Sequence, residues 1–195
     1  MKFSDVHFDK SVWLWSKEVF FDEKKEIIFV WRSNVGKSSI MNALFEKKNL
    51  VKTSARPGKT KLANIFRVAN KYYFTDLPWY GFAKVSKEMK EALDGLISWY
   101  VEERKENIKK GVMLIDSRLW PQEVDIHMYK FFLELGIEVV VVLSKIDKLS
   151  RSELDKSIAA TKQHFFWQDI LAVSSLKWTN INELKKYLRA ILLSK

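Results

Sequence analysis

A lysine and two hydroxyls stand together at Gly36-Lys37-Ser38-Ser39, directly behind the apolar run Ile27-Ile28-Phe29-Val30. That order reads as a strand, a tight loop and a helix start. The start of a helix presents unpaired backbone N–H groups and the positive end of the helix dipole, so it receives phosphate. Lys37 there would neutralise phosphate charge, the Ser38 hydroxyl would reach a Mg²⁺ ion, and the loop Arg32-Ser33-Asn34-Val35-Gly36 would wrap the anion with its backbone. The plain alternative is a lysine that opens a helix by chance. One residue breaks the pattern G-x-x-x-x-G-K-[ST]: its first glycine is Trp31.

Two more short stretches follow strand-like runs. Asp76-Leu77-Pro78-Trp79 comes after "KYYFT". An acid at the C-terminal end of a strand can hold Mg²⁺ through water, as the Walker-B aspartate does, although an aspartate in a turn before proline is common without any chemistry. Ser144-Lys145-Ile146-Asp147 comes after "EVVVVL" and resembles the [NT]-K-x-D element by which GTPases read guanine, with Ser144 in place of Asn or Thr. A carboxylate accepts two hydrogen bonds from the N1–H and exocyclic amine of guanine. Adenine offers no such pair, so discrimination is large. Val173-Ser174-Ser175 after the last strand would support the base from below.

These residues need a scaffold that brings strand ends together. Strand-like runs lie at Glu26–Val30, Leu62–Val68, Lys71–Thr75, Val112–Ile115, Glu138–Leu143 and Ile170–Val173, and helix-like segments at Lys37–Phe45, Lys87–Arg104, Val124–Leu135, Arg151–Phe165 and Asn182–Leu193. Ser86 and Ser150 read as N-caps, Glu153 completes a capping box after Ser150, and Gly136 sits where a C-terminal glycine is expected. Strands alternating with helices predict an α/β fold of the P-loop NTPase kind: a mainly parallel six-stranded sheet with helices on both faces. The close pair at 62–68 and 71–75, joined by Ala69-Asn70, predicts one antiparallel hairpin. The 195 residues suit a single domain, with 1–25 as an N-terminal extension packed on it.

Composition narrows the classes. No apolar run approaches the roughly 18–20 residues that span a bilayer, and Asp5, Asp9 and Lys10 interrupt the N-terminus, so neither a membrane span nor a signal peptide is expected and the expected compartment is the cytoplasm. Zero cysteines exclude disulfides and thiolate chemistry, and His7, His127 and His164 show no metal-ligand spacing. The net charge of +10 is unevenly spread. From Lys47 to Lys71 the bases Lys47, Lys48, Lys52, Arg56, Lys59, Lys61, Arg67 and Lys71 meet no acid, which favours a phosphate backbone as partner over a merely solvated surface.

Taken together, "RSNVGKSSIMNALF", "TSARPGKTKLANIF", "DLPWYGFAKVSKE", "VVVVLSKIDKLS" and "SSL" resemble the EngB (YihA/YsxC) GTPases, bacterial factors for assembly of the large ribosomal subunit. The resemblance covers about residues 20–193. It implies GTP/GDP and Mg²⁺ as ligands, a slow GTPase acting as a monomer, the large subunit or its precursor and its rRNA as partners, and a link to cell division and septation. Thr60 would be the switch threonine that completes Mg²⁺ coordination, with Gly58 and Lys59 in the same loop. Residues 77–86 would form a second switch, in which Tyr80 stands where Ras-type GTPases place a water-orienting glutamine. Asn34 matches the asparagine that coordinates an activating K⁺ in related GTPases.

The family pattern has glycine at both 31 and 79, and the backbone N–H at 79 is the one that meets the γ-phosphate. This chain has tryptophan at both. Trp120, Trp167 and Trp178 also stand in turn-like contexts where glycine is natural. At about 7% average usage a chain this long would hold roughly 14 glycines; this one has 6, and 8 tryptophans. Three readings are open: a genuine Trp-rich core, a degenerate GTPase fold that binds ribosome or rRNA without nucleotide, or UGA codons that the organism decodes as glycine. Trp99, on an amphipathic helix, fits a true tryptophan, and Trp13 and Trp15 fit none of the three better than another.

Overall fold

The computed structural model describes residues 2–13, 22–51, 62–81, 86–165 and 168–194. Its strands are β1 (Val6–Val12), β2 (Glu26–Trp31), β3 (Ala63–Val68), β4 (Tyr72–Asp76), β5 (Ile108–Asp116), β6 (Val139–Ser144) and β7 (Asp169–Ala172). Its helices are α1 (Lys37–Phe45), α2 (Lys87–Arg104), α3 (Glu123–Glu134), α4 (Arg151–His164) and α5 (Ile181–Leu193). One sheet orders them β1-β3-β4-β2-β5-β6-β7. The pairs β4/β2, β2/β5, β5/β6 and β6/β7 are parallel, while β3 runs antiparallel to both β1 and β4.

The period-two geometry of a strand sorts the apolar residues into two cores. Ile27, Phe29, Val112, Leu114, Val140 and Val142 pack on one face, together with Ile40 and Leu44 of α1 and Leu184 and Leu188 of α5. Ile28, Val30, Met113, Ile115, Val141 and Leu143 pack on the other, with Leu96 and Tyr100 of α2 and Phe132 of α3. Both faces are covered, which is why the central strands read as unbroken apolar runs.

The sequence expectations hold for class and order, with boundaries shifted by a residue or two and by four at the start of β5. The Ser150 hydroxyl accepts from the Glu153 N–H, the Ser150 N–H donates to the Glu153 carboxylate in return, and Gly136 sits at φ +73° past α3. Ala69 and Asn70 both take positive φ, the geometry that lets a tight turn follow the twist of the β3/β4 hairpin. The sheet has seven strands rather than six. The extra one, β1, comes from the segment read as an extension. It buries only Val6 and Val12, at its two ends, and kinks by a bulge between Phe8 and Lys10, so no alternation marks it in the sequence.

In a sheet of this kind ligands bind beyond the carboxyl ends of the strands, where the order reverses. Here those ends are Trp31, Asp76, Asp116 and Ser144.

Candidate functional site

The phosphate side is built by the turn between β2 and α1. Asn34 (φ 65°) and Gly36 (φ 93°) both take left-handed conformations, and the Val35 N–H closes the loop on the Arg32 carbonyl at 3.3 Å. A Cβ on Gly36 would lie 3.6 Å from Lys145 Cε, so space would allow a side chain but the backbone conformation favours glycine. Helix α1 begins with no side-chain cap and no acid in its first turn, leaving its N-terminal donors for an anion. Ser38 is buried at that end, while Ser33 and Ser39 are exposed.

Lys37 does not point into open space. Its ammonium pairs with Asp76 Oδ2 and lies 4.3 Å from the centroid of the Trp31 ring. Burial pushes the Asp76 carboxyl up to about 6, against the pull of the Lys37 charge. Its other oxygen, Oδ1, is buried without a hydrogen-bond partner among the described residues. A hydroxyl at the helix start, next in the chain to the lysine that pairs with a carboxylate whose other oxygen is orphaned, fits an oxygen-ligated divalent cation such as Mg²⁺. Gly58, Lys59 and Thr60 lie outside the described residues, as does Trp167.

The base side is tighter. The Ser174 hydroxyl donates to Asp147 Oδ1 at 2.6 Å, and Ser174 in turn receives the Lys177 N–H at 3.1 Å. Val173 and Ser174 are buried, and Ser175 is half-buried beside them. The Ser144 hydroxyl reaches the Val35 carbonyl at 2.8 Å, tying the Ser144–Asp147 element to the loop between β2 and α1. Lys145, in a left-handed conformation (φ 59°), donates to the Asn34 carbonyl at 2.5 Å and pairs with Asp116 at 2.9 Å. Burial alone would raise Asp116, but hydrogen bonds from Arg118 and Lys145 overcome it and hold the carboxyl at about 2.

Asp116 was not read from the sequence as a site residue. An aspartate ending an apolar strand looks like any turn residue, and its partner Lys145 is far along the chain. A second missed residue is Asp125, buried in α3. Tyr80 donates to it at 2.8 Å, the Arg32 guanidinium pairs with it at 3.0 Å, and the Gln122 N–H caps it at 2.9 Å. Tyr80 is itself buried, and its N–H meets the Trp31 carbonyl at 3.1 Å, so the segment expected to form a second switch begins beside the end of β2. Trp79, between them, is half-buried against the α1-side core.

Asn34 is exposed and its carbonyl is taken by Lys145. Neither the geometry nor the relatives below lend support to a potassium ion there. Lys52, Arg56, Lys59 and Lys61 of the basic stretch lie outside the described residues; among the others, Arg67 pairs with Asp9 at 2.5 Å, Lys71 sits in the hairpin turn at the opposite end of β4 from Asp76, and Lys47 and Lys48 are exposed just beyond α1. No helix among the described residues is long and apolar enough to cross a membrane.

A family model described as 50S ribosome-binding GTPase matches residues 26–145. The chain is 41% identical over 174 residues to the probable GTP-binding protein EngB of Clostridium kluyveri, covering 88% of each. It is 44% identical over 155 residues to the probable GTP-binding protein EngB of Clostridium acetobutylicum, covering 80% of this chain and 77% of the relative. A crystal structure of a probable GTP-binding protein EngB superposes with a TM-score of 0.73 at 26% identity, covering 86% of this chain and 98% of that one.

Proposed function

This chain belongs to the 50S ribosome-binding GTPases, among the EngB proteins, and from that premise we propose that it is a GTP/GDP switch serving assembly of the large ribosomal subunit in the cytoplasm, with a consequent role in cell division. The observation that carries the nucleotide reading is the linked base side. Asp147 is held by Ser174, and Ser144 and Lys145 both bond the phosphate loop from the strand end next to it. A guanine that reached Asp147 would find its acceptor already oriented. Asp147 reads the base, Lys37 and the α1 N-terminus take the phosphates, and the backbone at 79 faces the γ-phosphate. Ser38 and Thr60, with Asp76 through water, would hold Mg²⁺; the bound ion would neutralise charge on the β- and γ-phosphates.

Hydrolysis on this scaffold is slow. Tyr80 is buried and its hydroxyl is committed to Asp125, so the switch brings no side-chain amide to an attacking water. The missing element would come from the ribosomal partner, which Lys47, Lys48 and the neighbouring bases of the 47–71 stretch would meet through rRNA phosphates. The test is competition binding: GDP and GTP should displace a fluorescent guanine nucleotide, and ADP and ATP at equal concentration should not. Displacement by all four alike overturns the guanine reading. For the ribosomal half, association with large-subunit precursors should be stronger with a non-hydrolysable GTP analogue than with GDP; equal association overturns the coupling.

A second reading has its own observation. The Trp31 ring lies against Lys37, on the side chain meant for phosphate. A chain with that ring in place would be a ribosome- or rRNA-binding scaffold on a GTPase fold, without bound nucleotide. Absence of any guanine-nucleotide binding, with precursor binding retained, selects it.

A further inference from the structure

Six described tryptophans fall into different environments. Trp99 lies in α2, buried in the core with Tyr100 and Val101, as a tryptophan should. Trp120 lies in the loop before α3 at φ 46° and Trp178 in a turn before α5 at φ 56°, each more than half exposed. The left-handed region crowds Cβ against the backbone, and a bulky side chain there is an outlier. Asn34, Asn49, Asn70 and Asn180 account for four of the nine non-glycine residues at positive φ among the described residues, as asparagine's tolerance for that region leads one to expect. Two tryptophans among the other five have no such reason. An exposed indole recovers little by burial; Trp178 has Lys185 at 5.6 Å from its ring centroid.

Trp31 stands where glycine's other requirement, close approach, applies, although its ring is buried in the α1-side core much as Trp99 is buried in the other. Trp31 fills the first position of G-x-x-x-x-G-K-[ST], and its ring covers the Lys37 ammonium. Trp79 is half-buried against the α1-side core, at the position where the family pattern has a glycine whose N–H meets phosphate. We infer that the protein made in its own organism carries glycine at positions 31, 79, 120 and 178, inserted at UGA codons, and tryptophan at 99. Backbone conformation at 120 and 178 and the Trp31 ring over Lys37 are independent signs of one substitution; position 79 is included on the family pattern, and the shortage of glycine in the whole chain runs in the same direction.

The occlusion half rests on the nucleotide reading proposed above; the backbone half does not, and the test separates them. Tryptic peptides of the native protein isolate the four positions, one each: 26–32, 72–84, 119–130 and 178–185. Mass spectrometry should find glycine in all four. Tryptophan at 120 and 178, or UGG codons at those positions, overturns the inference. In parallel, W31G/W79G should bind a fluorescent GDP analogue at least about tenfold more tightly than the tryptophan form. Glycine in the peptides with no GDP binding by either form would uphold the recoding and overturn the nucleotide switch. Glycine in the peptides with equal binding by both forms would overturn the occlusion alone.

Discussion

The two ends of the site solve the problem of a buried carboxylate in opposite ways. At the base end Asp116 is clamped by Arg118 and Lys145 and held at about 2. At the phosphate end Asp76 has one cation, one orphaned oxygen, and is pushed up to about 6 by burial. The first is a finished network; the second is a network with a member missing. A base pocket can be complete before its ligand arrives because guanine adds neutral hydrogen bonds. A phosphate site cannot, since the charge that balances its lysine comes with the ligand.

The largest expected effect breaks the base end. Asp147→Asn removes the acceptor for two guanine hydrogen bonds and sets an amide against them, so GDP affinity should fall about 10³-fold, roughly 4 kcal/mol. A xanthine nucleotide, with a carbonyl where guanine has its amine, should recover part of the loss. Unchanged GDP binding in a calorimetric titration would mean that Asp147 does not read the base.

Next comes pH, where the two carboxylates pull in opposite directions. Asp76 is raised when folded, so between about pH 4 and 6 the folded chain binds the extra proton. Without nucleotide and Mg²⁺, stability should therefore fall as pH rises through that window, by at most about 1.4 kcal/mol per unit. Asp116 is lowered when folded; its contribution is present above the ordinary carboxylate value near 4 and is lost as pH falls towards 2. Urea unfolding from pH 3 to 7 separates them, because Asp76→Asn should flatten the upper window and leave the acid limb in place.

The same Asp76→Asn chain sharpens the comparison under ligand. Mg²⁺ should tighten GTP binding to the parent, and that gain should shrink about tenfold, or 1.4 kcal/mol, in the variant. GTP titrations with Mg²⁺ and with a chelator give the answer, and an undiminished gain would remove Asp76 from the cation site. The smallest effect is at the switch. Tyr80→Phe deletes one hydrogen bond to a buried carboxylate that keeps Arg32 and the Gln122 N–H, so it should cost about 1–2 kcal/mol in urea unfolding. A null change would show that Tyr80 is held by packing alone.

What the sequence disclosed and what it hid divide along a physical line. Features set by neighbours in the chain were legible: the phosphate loop, the Ser150 cap, the Ala69-Asn70 turn and the apolar period of β2, β5 and β6. Residues defined by distant partners were not. Asp125 reads as an ordinary first-turn acid until the fold sets Tyr80 and Arg32 against it. β1 has no pattern of its own because it is an edge strand buried only at its ends, and the +10 charge gave no hint that Arg67 is spent on Asp9. The tryptophans were suspicious in sequence only by motif and number; their backbone angles add a sign that neither could supply.

Lys145 spans the cleft, with the Asn34 carbonyl at one end of its ammonium and Asp116 at the other. With Ser144 bonded to Val35, it ties the two halves of the site together. A nucleotide that docks its base thereby delivers its phosphates at high effective concentration to a loop already braced to receive them. Guanosine and pyrophosphate offered separately forfeit that advantage, so the product of their association constants should fall well short of the constant for GDP.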